Sequence, residues 1–162
     1  MVNTAHPAVD RVRDALRAQG LDPEIRWFDD ATTTAEAAAE AAAEALGIEV
    51  GAIANSLIFT LDDEPLLVLT SGAHRVDAAW LGDRLGGTIG RASKDVVKQA
   101  TGQVIGGVAP VGHPSPLRTL VDVALGEFPV VWAAAGHAHT VFPTSFEELV
   151  RITGGEATPV AP

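Results

Sequence analysis

A glycine-rich stretch is the part of this sequence best suited to bring backbone groups against a ligand. Between Gly102 and His113 it holds four glycines, one proline and one histidine in twelve residues. Glycine has no Cβ and lets the backbone approach a bound molecule closely, while Pro110 fixes its own φ and removes one donor. The remaining N–H groups could point at an acceptor on a ligand. The same composition also fits an ordinary connection between a helix and a strand, so composition alone leaves both interpretations open.

Histidines are the second group of side chains that could do chemistry. His113 closes the glycine-rich stretch, and His137 and His139 lie two apart, so that on an extended segment both would face the same side. Three histidines could hold a metal ion, but no acidic residue accompanies them at ligand spacing, which favours ordinary polar histidines in loops. His74 is expected to stabilise its own loop or the start of a helix.

Asp122 lies in an apolar segment, where a carboxylate is costly unless it is hydrogen-bonded or paired. Two interpretations stay open for it: a structural acceptor, or a pocket residue that orients the amino group of a substrate. Trp27, Trp80 and Trp132 have apolar neighbours, which favours core positions over stacking platforms.

The composition narrows the class of protein. With 162 residues, 47% of them hydrophobic, the chain is long enough for one domain, 1–162, with a sizeable core. The absence of cysteine excludes disulfides and a thiol nucleophile. A net charge of -10 argues against a broad electrostatic footprint on nucleic acid, but leaves recognition of a nucleic-acid end through a small pocket open. No apolar run is long enough to cross a bilayer, and we expect a cytoplasmic protein without membrane or DNA partners.

Hydrophobic periodicity and end signals predict the elements that must position these residues. A helix and a short strand fill residues 1–30, Thr33 and Glu36 resemble a capping box, Pro143 marks a boundary, and residues 155–162 form a frayed tail. Helices are predicted over 7–19, 37–46, 76–85, 94–100 and 146–153, and strands over 24–28, 55–61, 66–70, 117–125, 130–134 and 140–142. Because helices and strands mix without strict βαβ alternation, we expect an α/β domain with a mixed sheet and packed helices.

Four stretches, in their order and spacing, resemble the YbaK and prolyl-tRNA-synthetase-associated editing domain family. They lie between Thr33 and Gly154 and are residues 34–47 leading into 55–59, residues 72–77, residues 107–112, and residues 132–136 followed by 140–142 and the closing helix. The resemblance implies a single compact α/β domain in which helices surround a mixed, barrel-like sheet. It also implies an aminoacyl-tRNA deacylase that acts in trans on the ester between a wrong amino acid and the 3′ end of tRNA. No metal or other cofactor is implied, and an aminoacyl-tRNA synthetase is a second expected partner.

The resemblance also suggests roles for single residues. An aminoacyl ester is already activated, so water can attack it if the ester is held and the developing oxyanion meets preorganised donors. N–H groups between Gly107 and Gly112 could supply these donors, with the ribose hydroxyl or the substrate's own side chain assisting proton transfer. Asn55 and Ser56 would contact the ester or the terminal ribose. The amino-acid pocket and its opposite wall would come from Val108, Ala109, Pro110, His113, Asp122, Gly136 and His137.

Asn55 departs from the family pattern, which usually has a lysine at this position. An asparagine offers both a donor and an acceptor, but it cannot neutralise charge as lysine does. Two functions therefore stay open: a deacylase with a changed amino-acid preference, and a non-catalytic module that binds an aminoacyl or nucleotide-like ligand or a synthetase. A metal-dependent hydrolase that uses the histidines is a third and weaker interpretation.

Overall fold

Five helices and eight strands make up the described part of the chain, residues 6–27, 35–103, 108–137 and 140–162 of a computed structural model. The helices are α1 (Pro7–Ala18), α2 (Ala35–Leu46), α3 (Ala78–Leu85), α4 (Lys94–Thr101) and α5 (Phe146–Thr153). The strands are β1 (Arg26–Trp27), β2 (Ile53–Leu61), β3 (Glu64–Ser71), β4 (Ile89–Arg91), β5 (Arg118–Asp122), β6 (Val131–Ala134), β7 (Thr140–Thr144) and β8 (Glu156–Thr158). Short 3-10 turns at Val50–Ala52 and Val123–Glu127 precede β2 and follow β5.

The strands form one mixed sheet in the order β1-β7-β6-β2-β3-β5-β8, with β4 paired to β2. β2 runs antiparallel to β3 and β4 but parallel to β6, and β5 is parallel to both β3 and β8. The predicted single α/β domain with a mixed sheet and packed helices is therefore confirmed. Within the described strands the two ends of this order, β1 and β8, do not pair with each other, so closure into a barrel stays a prediction.

Side chains with fixed capping chemistry set the ends of α4 and α5. Ser93 and Ser145 each accept a hydrogen bond from an amide in the first turn of the following helix. Gly102 and Gly154 follow these helices in the left-handed conformation that glycine adopts without strain. These four residues flank the helices predicted over 94–100 and 146–153, whereas the capping box expected at Thr33 lies outside the described residues.

Three apolar clusters hold the helices onto the sheet. The largest contains Val12 of α1, Leu69 of β3, Phe142 of β7 and Leu149 of α5, all buried. A second cluster lies under α3 around Leu81, and a third lies under α2. Each fully buried side chain of this size contributes roughly 1.5–3 kcal/mol, which is how a chain without disulfides is held together. No helix in the described ranges is both long and apolar enough to cross a membrane.

The strand that carries Asp122 ends earlier than predicted. β5 stops at Asp122 instead of continuing to residue 125, because the Asp122 Oδ1 accepts a hydrogen bond from the Ala124 amide at 3.0 Å and begins the 3-10 turn. β1 is likewise shorter than the predicted 24–28, with Arg26 and Trp27 as its described residues.

Pro143 lies inside β7, so the boundary predicted there is wrong. β1 pairs with β7 at Thr140 and Val141, and no described strand pairs with Pro143 on that edge. A residue without an N–H is tolerated at such an edge because it removes no bond from a ladder.

The C-terminal residues are part of the fold, and the predicted frayed tail is wrong. β8 pairs with β5, and Val160 is buried beside Leu81 and Leu120. The Asp77 amide also donates to the Val160 carbonyl at 3.0 Å. Neither β8 nor β4 was predicted, since three-residue strands next to glycines are too short to show a period.

Candidate functional site

One edge of β2 is only partly covered by other strands. β3 pairs with β2 along residues 54–61. On the opposite edge, β6 pairs with Ile53 and Ala54, and β4 pairs with residues 59–61. Among the described strands none pairs with residues 55–58 on that edge, and we call this stretch of β2 the sheet gap.

Backbone hydrogen bonds on either side show which residues face the sheet gap. The Gly72 amide donates to the Ile53 carbonyl on the β3 side, and the Asp62 amide donates to the Thr88 carbonyl on the β4 side. Backbone groups of successive residues in a strand alternate between the two edges. The N–H and C=O groups of Ser56 therefore face the sheet gap, as does the N–H group of the next even-numbered residue, Ile58.

A cavity of about 740 Å³ lies at the sheet gap. Its lining comes from β2, from the loop before α3 and the first residue of that helix, from β4 and the first half of α4, and from the middle of the glycine-rich stretch; the residues are 55–59, 74–76, 78, 89–92, 94, 97 and 108. The structure thus brings together three of the predicted site residues, Asn55, Ser56 and Val108. A cavity of this volume is in the range that holds small molecules and cofactors.

Asn55 and Ser56 both belong to the lining of this cavity, and one polar atom of the pair is buried without a partner among the described residues. The Ser56 Oγ is buried and has no hydrogen-bond partner among the described residues. Asn55 is 8% exposed, and its side-chain amide makes no hydrogen bond to the described part of the chain. A buried polar group without a partner costs about 1–3 kcal/mol. Such groups lose this penalty when a ligand supplies the missing donor or acceptor.

Positive charge is concentrated around the cavity. Arg75, Arg91 and Lys94 line it together with His74, and no Asp or Glu belongs to its described lining. The whole chain has 21 acidic and 11 basic residues, so this arrangement is opposite in sign to the protein as a whole. A cavity lined by one sign of charge attracts ligands of the other sign, here anions.

The glycine-rich stretch is clamped by Gln103, a residue that the sequence did not single out. Gln103 is 2% exposed; its Oε1 accepts from the Ala109 amide at 2.6 Å, and its Nε2 donates to the Val111 carbonyl at 3.3 Å. The Thr101 Oγ1 accepts a hydrogen bond from the backbone N–H of Gln103. The Ala109 N–H is therefore used within the loop, and we correct the expectation that it could serve as an oxyanion donor.

His113 also holds the glycine-rich stretch in place and does not belong to the described lining of the cavity. We call Gln103 and His113 together the clamp. The His113 Nε2 donates to the Ala109 carbonyl at 2.8 Å. Burial lowers the pKa of His113 below the ordinary 6.5, and the hydrogen bond to that carbonyl offsets this only in part. A neutral imidazole protonated on Nε2 accounts for the contact, because a carbonyl oxygen can only accept.

Gly112 and Gly136 allow α1 to approach closely. Their φ angles are 85° and 101°, and a Cβ on Gly136 would stand 2.9 Å from the Ala8 carbonyl oxygen. A Cβ on Gly112 would stand 3.1 Å from a methyl group of Val12. Both glycines are placed against α1, and neither belongs to the described lining of the cavity. Gly107 lies outside the described residues.

The other predicted pocket residues lie away from the cavity. Ala109 and Pro110 are buried within the clamped loop. The His137 ring contacts the rings of His6 and Trp27, with centroids 4.9 and 5.4 Å apart. His139 lies outside the described residues, and within the described ranges no three His, Cys, Asp or Glu side chains cluster as metal ligands would.

Asp122 is buried and well supplied with donors. Its Oδ2 accepts from the Thr70 hydroxyl at 3.2 Å and from the Ser71 amide at 3.0 Å, and its Oδ1 accepts from the Ala124 amide. The His74 Nδ1 lies 3.2 Å from the same Oδ2. Asp122 is thus a structural acceptor that also reaches the 740 Å³ cavity through His74, which lines it.

One family model, two curated proteins and one solved structure show what this chain is similar to. Residues 33–152 match the model of the aminoacyl-tRNA editing domain. The uncharacterized protein YwhH of Bacillus subtilis is 31% identical over 139 residues, which are 85% of this chain and 86% of that protein. A proline–tRNA ligase of Maridesulfovibrio salexigens is 32% identical over 93 residues, 57% of this chain but 16% of the ligase. The solved structure of a candidate trans-editing enzyme for prolyl tRNA synthetase superimposes with a TM-score of 0.88 at 35% identity, covering 97% of this chain and 98% of that one.

Proposed function

The chain belongs to the aminoacyl-tRNA editing domain family, and on that premise we propose that it hydrolyses the ester between a wrong amino acid and the 3′ end of tRNA, acting in trans. The family predicted from the sequence is confirmed, and the structure of the related trans-editing candidate covers nearly the whole chain. The proposal assigns the reaction to the cavity at the sheet gap. Similarity to a segment of a proline–tRNA ligase makes mischarged tRNA for proline the first substrate to test.

The observation that carries the proposal is the pairing of unsatisfied polar atoms with an apolar wall. Ser56, whose Oγ is buried without a partner among the described residues, lines the same cavity as Asn55 and as the apolar residues Leu57, Val97 and Val108. The polar atoms suit the ester and the ribose, and the apolar side chains suit a small acyl side chain. Synthetases cannot reject near-isosteric amino acids by binding alone, so a second site of limited size improves selection.

The charge of the cavity fits the 3′ end of a nucleic acid. Arg75, Arg91 and Lys94 could neutralise phosphates next to the terminal adenosine, while the remaining acidic surface disfavours contact with the body of the tRNA. We therefore propose binding that is confined to the end of the tRNA, with an aminoacyl-tRNA synthetase as a partner that could deliver the substrate.

The proposed mechanism places the oxyanion donors on β2 instead of on the glycine-rich stretch. The N–H groups of Ser56 and Ile58 face the sheet gap, whereas the Ala109 N–H is bound to Gln103. Asn55 would donate its amide hydrogens to the ester carbonyl, and Ser56 would hydrogen-bond to the ester or the ribose. Preorganised donors of this kind are typically worth 10²–10³ in rate each.

The test is release of amino acid from a panel of mischarged tRNAs by the purified protein, compared with spontaneous hydrolysis and repeated with a metal chelator. We expect release above background for at least one small amino acid, and unchanged release with the chelator. Absence of release for every pair tried would contradict the proposal, and loss of release on chelation would favour a metal-dependent hydrolase.

A second function, binding without hydrolysis, is favoured by Asn55 in the position of the usual lysine. The substitutions Asn55→Lys and Asn55→Ala separate the two. Hydrolysis that appears only in Asn55→Lys would support a binding module. Hydrolysis by the native protein that Asn55→Ala abolishes would support the deacylase.

A further inference from the structure

We propose that His74 is the general base of the reaction and that Asp122 is its positioning residue. This inference rests on the proposed function. The observation behind it is a buried carboxylate that holds one nitrogen of the His74 ring, while His74 is among the residues that line the cavity with Asn55 and Ser56. Nucleophile activation by a histidine that a carboxylate orients recurs on unrelated folds.

The contact with Asp122 determines the tautomer of His74. A carboxylate oxygen can only accept, so the Nδ1 that lies 3.2 Å from the Asp122 Oδ2 carries the proton. In the neutral ring the lone pair is then on Nε2. The His74 Nε2 makes no hydrogen bond to any described residue, and the side chain is 48% exposed, so a water molecule can reach it.

Asp122 is held more firmly than a simple ion pair requires. The Thr70 hydroxyl and the amides of Ser71 and Ala124 all donate to it, and its side chain is 2% exposed. The His74 amide donates to the Ser71 carbonyl at 2.9 Å, which fixes the backbone on which the ring is carried. Both members of the pair are therefore in place before a substrate binds, as a base that acts by position must be.

The other described histidines have different surroundings. The His6 Nδ1 accepts from the Ala8 amide at the start of α1, His113 clamps the glycine-rich stretch, and His137 contacts His6 and Trp27. His74 shares its cavities with charged groups of both signs: Asp122 and Glu127 on one side, Arg75, Arg91 and Lys94 on the other. Within the described residues, His74 combines a carboxylate partner with a place on the cavity that Asn55 and Ser56 line.

The step is an ordinary hydrolysis. The Nε2 of His74 takes a proton from water as the water oxygen bonds to the acyl carbon of the ester. The carbonyl electron pair moves to oxygen, where the donors on β2 meet it. The ester C–O bond then breaks, and the leaving ribose oxygen takes the proton from Nε2. The products are a free amino acid and a tRNA with a free terminal hydroxyl.

The experiment compares His74→Ala and His74→Gln with the native protein and with His6→Gln, a control that removes a histidine outside the described lining of the cavity. We measure kcat and KM between pH 5 and 8, and add free imidazole to His74→Ala. We expect kcat to fall about 10²–10³-fold in both His74 variants, with KM changed little. We also expect the rise of kcat with pH, present in the native protein and in His6→Gln, to disappear, and imidazole to restore part of the activity of His74→Ala.

The outcomes separate the two proposals. If the native protein releases no amino acid from any tRNA, the proposed function fails and the base assignment fails with it. If the native protein is active, but His74→Gln keeps its pH profile or loses only substrate affinity, the base assignment alone fails. Asp122 is not used as the variant because Thr70 and Ser71 depend on it, so its loss would mix positioning with folding.

Discussion

The sheet gap and the glycine-rich stretch face the same region of the molecule but differ in how their polar groups are used. At the sheet gap, the Ser56 Oγ is buried and has no hydrogen-bond partner among the described residues. In the glycine-rich stretch, Gln103 and His113 engage the N–H and C=O groups of Ala109. A glycine-rich composition indicates where a backbone can come close, but unsatisfied polar atoms indicate where a ligand gains binding energy. The difference predicts that substitutions at the sheet gap change activity and that substitutions in the clamp change stability.

Among substitutions that compare these two regions, the largest effect is expected at Ser56. The substitution Ser56→Ala should lower the release of amino acid about 100-fold, about 2.7 kcal/mol in activation free energy. Its melting temperature should stay level or rise slightly, because the removed hydroxyl is buried and no described residue pairs with it. Ser115→Ala, on an exposed loop, is the matched control and should change neither quantity. If Ser56→Ala lowers the melting temperature as well as the activity, the hydroxyl stabilises the fold, and the sheet gap is a structural feature instead of a binding site.

The converse result is expected at Gln103. Gln103→Leu keeps the side-chain volume but leaves the Ala109 N–H and the Val111 carbonyl unpaired in a buried loop. We expect a loss of about 2 kcal/mol in the free energy of unfolding, which corresponds to roughly 4–8 °C in melting temperature for a chain of this size. Urea unfolding followed by circular dichroism measures it. Unchanged stability would mean that the clamp contributes nothing to holding the loop.

A smaller effect on activity is expected from the charged residues at the rim of the cavity, which should act on the phosphates of the tRNA and not on the ester. The double substitution Arg91→Glu and Lys94→Glu should reduce the rate on mischarged tRNA about tenfold at low salt and flatten its dependence on salt. The rate on an aminoacyl-adenosine without phosphates should not change, because the variant leaves Asn55 and Ser56 untouched. Arg151→Glu, which reverses a charge on α5 away from the cavity, is the control. A loss on both substrates would place the two cations in the reaction instead of at the phosphates.

The same contrast explains which features of the fold and of the candidate site could be predicted from the sequence. Caps and stops such as Ser93 and Gly154 were predictable because their chemistry is local. Asn55 and Ser56 were found through the family likeness, and the structure places both on the cavity. The pairing of His74 with Asp122, 48 residues later, is set by β3 and β5 lying side by side, which no local pattern encodes.

Gln103 was within the stretch that the sequence emphasised and was still missed. Its role depends on the path of the loop that returns Ala109 and Val111 to it, and this path is not written in residue types. Short elements failed for a related reason. β8 is only three residues long, and its place in the sheet comes from pairing with β5 and from the burial of Val160.

The smallest expected effect is the pH dependence that His113 gives to the clamp. Burial lowers its pKa in the folded state, so at pH values below about 6.5 the unfolded chain binds a proton more readily than the folded protein does. Stability is therefore complete above this range and decreases as the pH falls through it. His113→Gln keeps a donor for the Ala109 carbonyl but cannot titrate. Urea unfolding at pH 7.5 and 5.5 should show a smaller loss on acidification in this variant than in the native protein. Equal losses in the two proteins would mean that folding does not lower the pKa of His113, and that this histidine contributes nothing to the pH dependence of stability.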